Sequence, residues 1–234
     1  MADPARRRMH ALVLRDGLLM ALTFGSGATD AICYLALGKV FTAFMTGNLV
    51  FLGLALAGVS GPSVLSILVP LLTFGLGVFG TALIVSPTQG AGVWPRRVTA
   101  ALALSLIGRL CFMSIWVAVG GEPSRAVADV LLGVSGLAMG VQTAAVFSLG
   151  IQGVFTTAVT ATWTILSGEA VHWAENRSHR RLHVGTLSSL VVGAFCGGVV
   201  LDHARRQAPL VPLAASVLVV VLALVCRRRL ATCR

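Results

Sequence analysis

Charge is scarce in this chain. Only 11 % of its 234 residues are Asp, Glu, Lys or Arg, and only eight of those are acidic. So few charges cannot clothe a soluble domain. Aromatic residues are also few, at 6 % with a single tyrosine. The net charge of +10 therefore does not point to nucleic acid, because the stacking aromatics and the basic groove are missing. The five cysteines form no CxxC pair, which excludes a disulfide framework or a zinc knuckle and leaves them as small packing residues. There is no GxSxG, no HExxH and no Ser/Lys dyad, so nothing points to an enzyme. No cofactor is implied.

What fills the chain is apolar. Hydrophobic residues make up 56 %, mean hydropathy is +0.90, and there are 26 glycines. Apolar segments fall at about 17–38, 41–58, 64–85, 98–119, 126–150, 154–173, 184–201 and 210–226. Each approaches the length of about 20 residues that crosses the hydrocarbon core, and backbone in lipid must be helical. The fold class is thus all-α: a polytopic transmembrane bundle of six to eight segments, forming a single integral membrane domain over 1–234. The first segment follows Arg6-Arg7-Arg8 as a signal peptide would, but Asp30 inside it argues for an uncleaved helix.

The stretch 30–48, DAICYLALGKVFTAFMTGN, organises the rest. It has a weaker copy. Residues 30–38 align with 142–150 at an offset of 112, and Phe41, Thr42 and Thr46 match Phe155, Thr156 and Thr160 at an offset of 114. The reading is two related halves, about 14–119 and 126–226, with helices broken near Gly38 and Gly150. If each broken pair crosses twice there are eight spans, with 12 Lys and Arg on one side and five on the other. If it crosses once there are six spans in inverted halves, with 13 against three. The positive-inside rule prefers six, whereas the length of 17–58 argues for eight. Either way both termini are cytoplasmic.

Several polar residues lie where lipid penalises them. Asp30 and Arg109 sit at similar depth, each at a cost of about 2.5–3.5 kcal/mol on insertion scales, and read as a buried pair or as functional charges. Thr46 and Asn48 follow the first break. Gln142, Thr156 and Thr160 take matching places in the second half. Polar side chains beside interrupted helices form the sites of many transporters, while their bland role is helix packing. The GxGxxG at 75–80 is a packing surface, as are the GxxxG spacings at 136–140 and 193–197. Glu169 and His172, with His179 and His183, could in principle hold a metal, but a solvated cluster is the commoner outcome and no metal is assigned.

From Gly27 to Asp30, at Phe41, at Met45-Thr46-Gly47-Asn48, and at Gly140-Val141-Gln142 with Thr156 to Thr160, the chain resembles the YoaK family of bacterial membrane proteins. That resemblance implies six transmembrane segments in the bacterial inner membrane and no established substrate. The family pattern has Asn after the Gln and Gly after the last Thr, where this chain has Thr143 and Ala161. The function expected from these features is a small-solute transporter or permease; the alternative is a non-transporting scaffold or sensor subunit. The expected partners are the lipid bilayer, a small solute or proton, and a second copy of the chain through Gly-rich helix faces.

Overall fold

The structure, a computed structural model, describes residues 4–85, 93–151, 162–164, 167 and 177–226. Long helices dominate, and no strand occurs among the described residues. They are α1 (Pro4–Ala36), α2 (Met45–Leu56), α3 (Val64–Ile84), α4 (Arg96–Ala118), α5 (Arg125–Phe147), α6 (Arg177–His203) and α7 (Leu210–Val225). The starts are written locally. Ser63 Oγ accepts the Ser66 N–H at 3.1 Å and Ser124 Oγ the Val127 N–H at 3.5 Å, both as N-caps. Pro95 and Pro209 stand just ahead of α4 and α7, where a missing N–H costs nothing.

Among the described residues, six helices are long and apolar enough to cross a membrane. Hydropathy alone admits eight, and the segment at 41–58 is where the structure differs. Its helix α2 has 12 residues, about 18 Å, too short for a core of about 30 Å. The chain leaves α1 at Ala36, turns through Gly38 and Lys39 with φ of 119° and 59°, and descends along α1 until Thr42 lies beside Asp30. From there α2 climbs back towards α3. It is a re-entrant half-helix whose N-terminus lies inside the bundle. The segment at 154–173 falls almost wholly outside the described residues. The second break is seen at its start, where α5 ends at Phe147 and Gly150 takes a φ of 64°.

Two helices are interior. About 67 % of the apolar window of α1 and 61 % of that of α5 are buried, against 22–39 % for the other four spans. Helix α1 packs on α6 and α7, and α5 packs on α3 and α4. Glycines let these backbones approach. A Cβ at Gly193 would strike the Phe24 carbonyl and one at Gly197 would meet the Ala28 carbonyl at 2.8 Å; one at Gly140 would strike the Phe74 carbonyl. Both GxxxG spacings are therefore spent inside the chain. In 75–80 only Gly77 does this, against α5, whereas Gly75 and Gly80 face open space.

The apolar core is divided in two. One cluster joins Leu18 and Leu22 of α1 to Val98, Val146, Leu182 and Val220. The other joins Ile32 and Leu37 to Ile67, Trp116, Leu131 and Leu201. Each long helix contributes one end to each cluster or to the residues beside it, so consecutive spans are antiparallel. Between the two clusters lies a belt of buried polar side chains.

Candidate functional site

Asp30 stands in that belt, 5 % exposed. Its Oδ1 accepts the backbone N–H of Thr42 at 2.7 Å and of Ala43 at 2.9 Å, with the Thr42 hydroxyl at 3.3 Å. These amides lie just ahead of α2, so the carboxylate meets the positive end of a helix dipole. Its other oxygen, Oδ2, is buried with no hydrogen-bond partner in the protein. Ser135 of α5 donates to Thr42 Oγ1 at 3.0 Å, which ties α5 to the same loop.

Arg109 enters from α4, 7 % exposed. Its Nη1 donates to Thr29 Oγ1 at 2.8 Å, and its Nη2 to Gln142 Oε1 at 2.9 Å and Met139 Sδ at 3.1 Å. Gln142 in turn donates from Nε2 to Ser26 Oγ at 3.0 Å. The hydroxyls close the chain on their own helix: Ser26 donates to the Leu22 carbonyl and Thr29 to the Gly25 carbonyl, the i−4 pattern usual for Ser and Thr in apolar helices. Helices α1, α4 and α5 are thus joined by one polar network at mid-depth.

The Thr46-Gly47-Asn48 block resolves into separate roles. Asn48 is fully buried and holds the Phe41 peptide unit, accepting its N–H at 2.9 Å and donating to its carbonyl at 2.6 Å. Gly47 leaves room for the Phe41 ring, which a Cβ there would meet at 3.2 Å. The ring stacks on Tyr34 at 5.1 Å and on Phe51 at 6.1 Å. Two of the three residues therefore fix the descending loop. Thr46 is exposed on the first turn of α2 and does not join the belt.

Of the residues singled out by sequence, the structure brings Arg109 and Gln142 into direct contact and places Asp30 on the same belt. Asp30 and Arg109 do not form the direct pair that their depths suggest: no ion pair within 4.0 Å links them. The carboxylate turns to the α2 amides, while the guanidinium reaches the preceding residue, Thr29. Thr156, Thr160, Glu169 and His172 lie outside the described residues, and so does the side chain of His179. His183 is buried at the start of α6. Sequence reasoning passes over Ser26, Ser135 and Met139, whose types are too common in membrane helices to stand out, and gives Thr29 no role beyond the family motif. It also passes over Asp129, a second acid in an apolar run, which accepts the Ser66 hydroxyl at 2.7 Å.

A cavity of about 20 Å³ opens beside Arg109, between α1, α4, α5 and the start of α7. Its size is that of about one water molecule.

Residues 18–223 match the family described as "Protein of unknown function (DUF1275)". The chain belongs to this family. A relative within reach by sequence is the UPF0700 transmembrane protein YoaK of Bacillus subtilis (strain 168), 32 % identical over 197 residues, which are 82 % of this chain and 84 % of the relative. No solved structure matches the chain. The matched span of the DUF1275 family takes in α2, α3, α4, α5, α6 and most of α1 and α7, and hence every residue of the belt. The protein is a multi-pass membrane protein of that family.

Proposed function

We propose that this protein is a proton-coupled transporter of a small solute, with Asp30 as the proton-carrying group. One observation carries the reading. Asp30 holds the N-terminus of a re-entrant half-helix through Oδ1 and keeps Oδ2 without a partner. A proton added at Oδ2 leaves both backbone bonds to Oδ1 in place. The carboxyl can then change charge without releasing α2, as a coupling group at an interrupted helix must.

Two further features support it. The first is the arrangement of the halves: α1 lies on α6 as α5 lies on α3, and each crossing is closed by glycines. With the offset of 112 between 30–38 and 142–150, this favours inverted repeats, the common frame of alternating-access transporters. The second is charge. Six spans put 13 Lys and Arg on the face of the chain ends and three on the other, which favours cytoplasmic ends; the inner membrane is what the family resemblance implies. Under the scaffold reading the glycines of both GxxxG spacings would be free for partners, yet here they are occupied within the chain.

The test is flux through purified protein in liposomes, screened over small solutes with and without a pH gradient. Asp30→Asn should fold and insert, and should lose gradient-driven flux. Gradient-driven flux equal to wild type in Asp30→Asn would remove Asp30 from the mechanism.

A further inference from the structure

Arg109 is a buried cation whose direct partners are all neutral: a hydroxyl, an amide oxygen and a thioether. Its Nε has no hydrogen-bond partner in the protein. Asp30 is not within ion-pair distance, since its contacts are with the α2 loop. A buried charge without a contacting counter-charge is costly. Met139 Sδ is moreover a weak acceptor that a true anion would displace.

Arg109 itself lines the cavity. Thr29, Gly108, Ser135, Met139 and Pro212 form part of its wall. Pro212 belongs to the first turn of α7, a helix of 16 residues that begins at Leu210. The positive end of that helix dipole therefore adds to the charge of Arg109. The prolines remove backbone donors there, so α7 contributes field and the guanidinium contributes the hydrogen bonds. The remaining wall is largely apolar, which selects against strongly hydrated or multiply charged species.

We infer that the cavity beside Arg109, widened by displacement of the Met139 side chain, is a binding site for a small monovalent anion such as chloride or nitrate. The site rests on the transporter reading only in its physiological meaning, as the place of the solute; binding itself is independent of flux. The anion would sit on the Arg109 N–H groups, taking the place of Met139 Sδ.

Binding is measured on the whole protein in non-ionic detergent by chloride-35 line broadening, titrated with chloride and competed with nitrate, with gluconate holding ionic strength constant. Wild type should show saturable broadening that nitrate removes, and Arg109→Gln should show none. Met139→Leu, close in volume and expected to fold, frees one guanidinium N–H and should lower the half-saturating chloride concentration several-fold. Three results overturn the site: no saturable broadening in wild type, the same broadening in Arg109→Gln, or an unchanged half-saturation in Met139→Leu. Because no flux is read, failure here leaves proton coupling at Asp30 standing, and a failed flux screen leaves the binding result standing.

Discussion

Asn48 grips Phe41 by both sides of its backbone, at 2.9 Å on the N–H and 2.6 Å on the carbonyl. The residue lies seven positions on, across the loop that precedes α2. This amide is what holds the descending chain against its own half-helix, and it gives the Gly47-Asn48 pair a mechanical meaning.

Asn48→Ala should therefore strand two backbone groups, at about 1–3 kcal/mol each. Asn48→Asp keeps the acceptor but sets a buried carboxylate oxygen against the Phe41 carbonyl, so it should be no more stable than Asn48→Ala. Thermal unfolding in detergent, compared across the three proteins, checks the order.

At Asp30 the contacts separate charge from hydrogen bonding. Asp30→Asn retains an oxygen for the N–H groups of Thr42 and Ala43 and should unfold within about 1 kcal/mol of wild type. Asp30→Leu leaves both amides unmet, at about 1–3 kcal/mol each. The same unfolding assay gives the comparison; equal losses for the two variants would mean that the amides do not lean on this carboxylate.

Direct contact also predicts coupling. A double-mutant cycle of Arg109→Gln with Gln142→Leu should show an interaction energy above about 0.5 kcal/mol, as for contacting residues. An additive result would place the guanidinium elsewhere.

Glycine positions offer a contrast that depends on backbone geometry alone. Gly140→Val and Gly193→Val force a side chain into the carbonyls of Phe74 and Phe24. Each should cost about 1–3 kcal/mol or more and reduce the monodisperse fraction on size exclusion. Gly75→Ala and Gly80→Ala point into open space and should be neutral or stabilising by up to about 1 kcal/mol.

Topology is open to cysteine labelling in a cysteine-free background. Gly61→Cys, Ser124→Cys and Gln207→Cys, all at exposed positions, should react from the periplasm. Arg97→Cys, at the opposite end of α4, should be protected in sealed cells. Labelling of Arg97→Cys from outside would reverse the orientation drawn from charge.

Much of this was legible in the residues. Among the described residues, six of the eight apolar runs become spans or parts of them, because length and composition settle what lipid accepts. The breaks fall at Gly38 and Gly150, where left-handed backbone is needed. Asp30, Arg109 and Gln142 stand out because polar groups in apolar runs are costly. Their partners do not: depth along a helix can be counted, but rotation about its axis and the path of a loop cannot. Hence Asp30 and Arg109 share a level and miss each other. Thr42 precedes Thr46 in the same stretch, yet it is the loop's descent along α1 that brings it to the carboxylate. A serine such as Ser135 carries no mark that tells a site from an i−4 bond.

The division of the core into two apolar clusters with a polar belt between them has an electrical consequence. A charge held halfway across the bilayer senses about half the membrane voltage, about 1.2 kcal/mol per 100 mV against about 2.3 for a full crossing. On the proton-coupled reading proposed above, ionised Asp30 balances Arg109, and motion of the belt carries no net charge through the field. Protonation of Asp30 would leave Arg109 unbalanced, so that the same motion would then work with or against the voltage until an anion neutralised it.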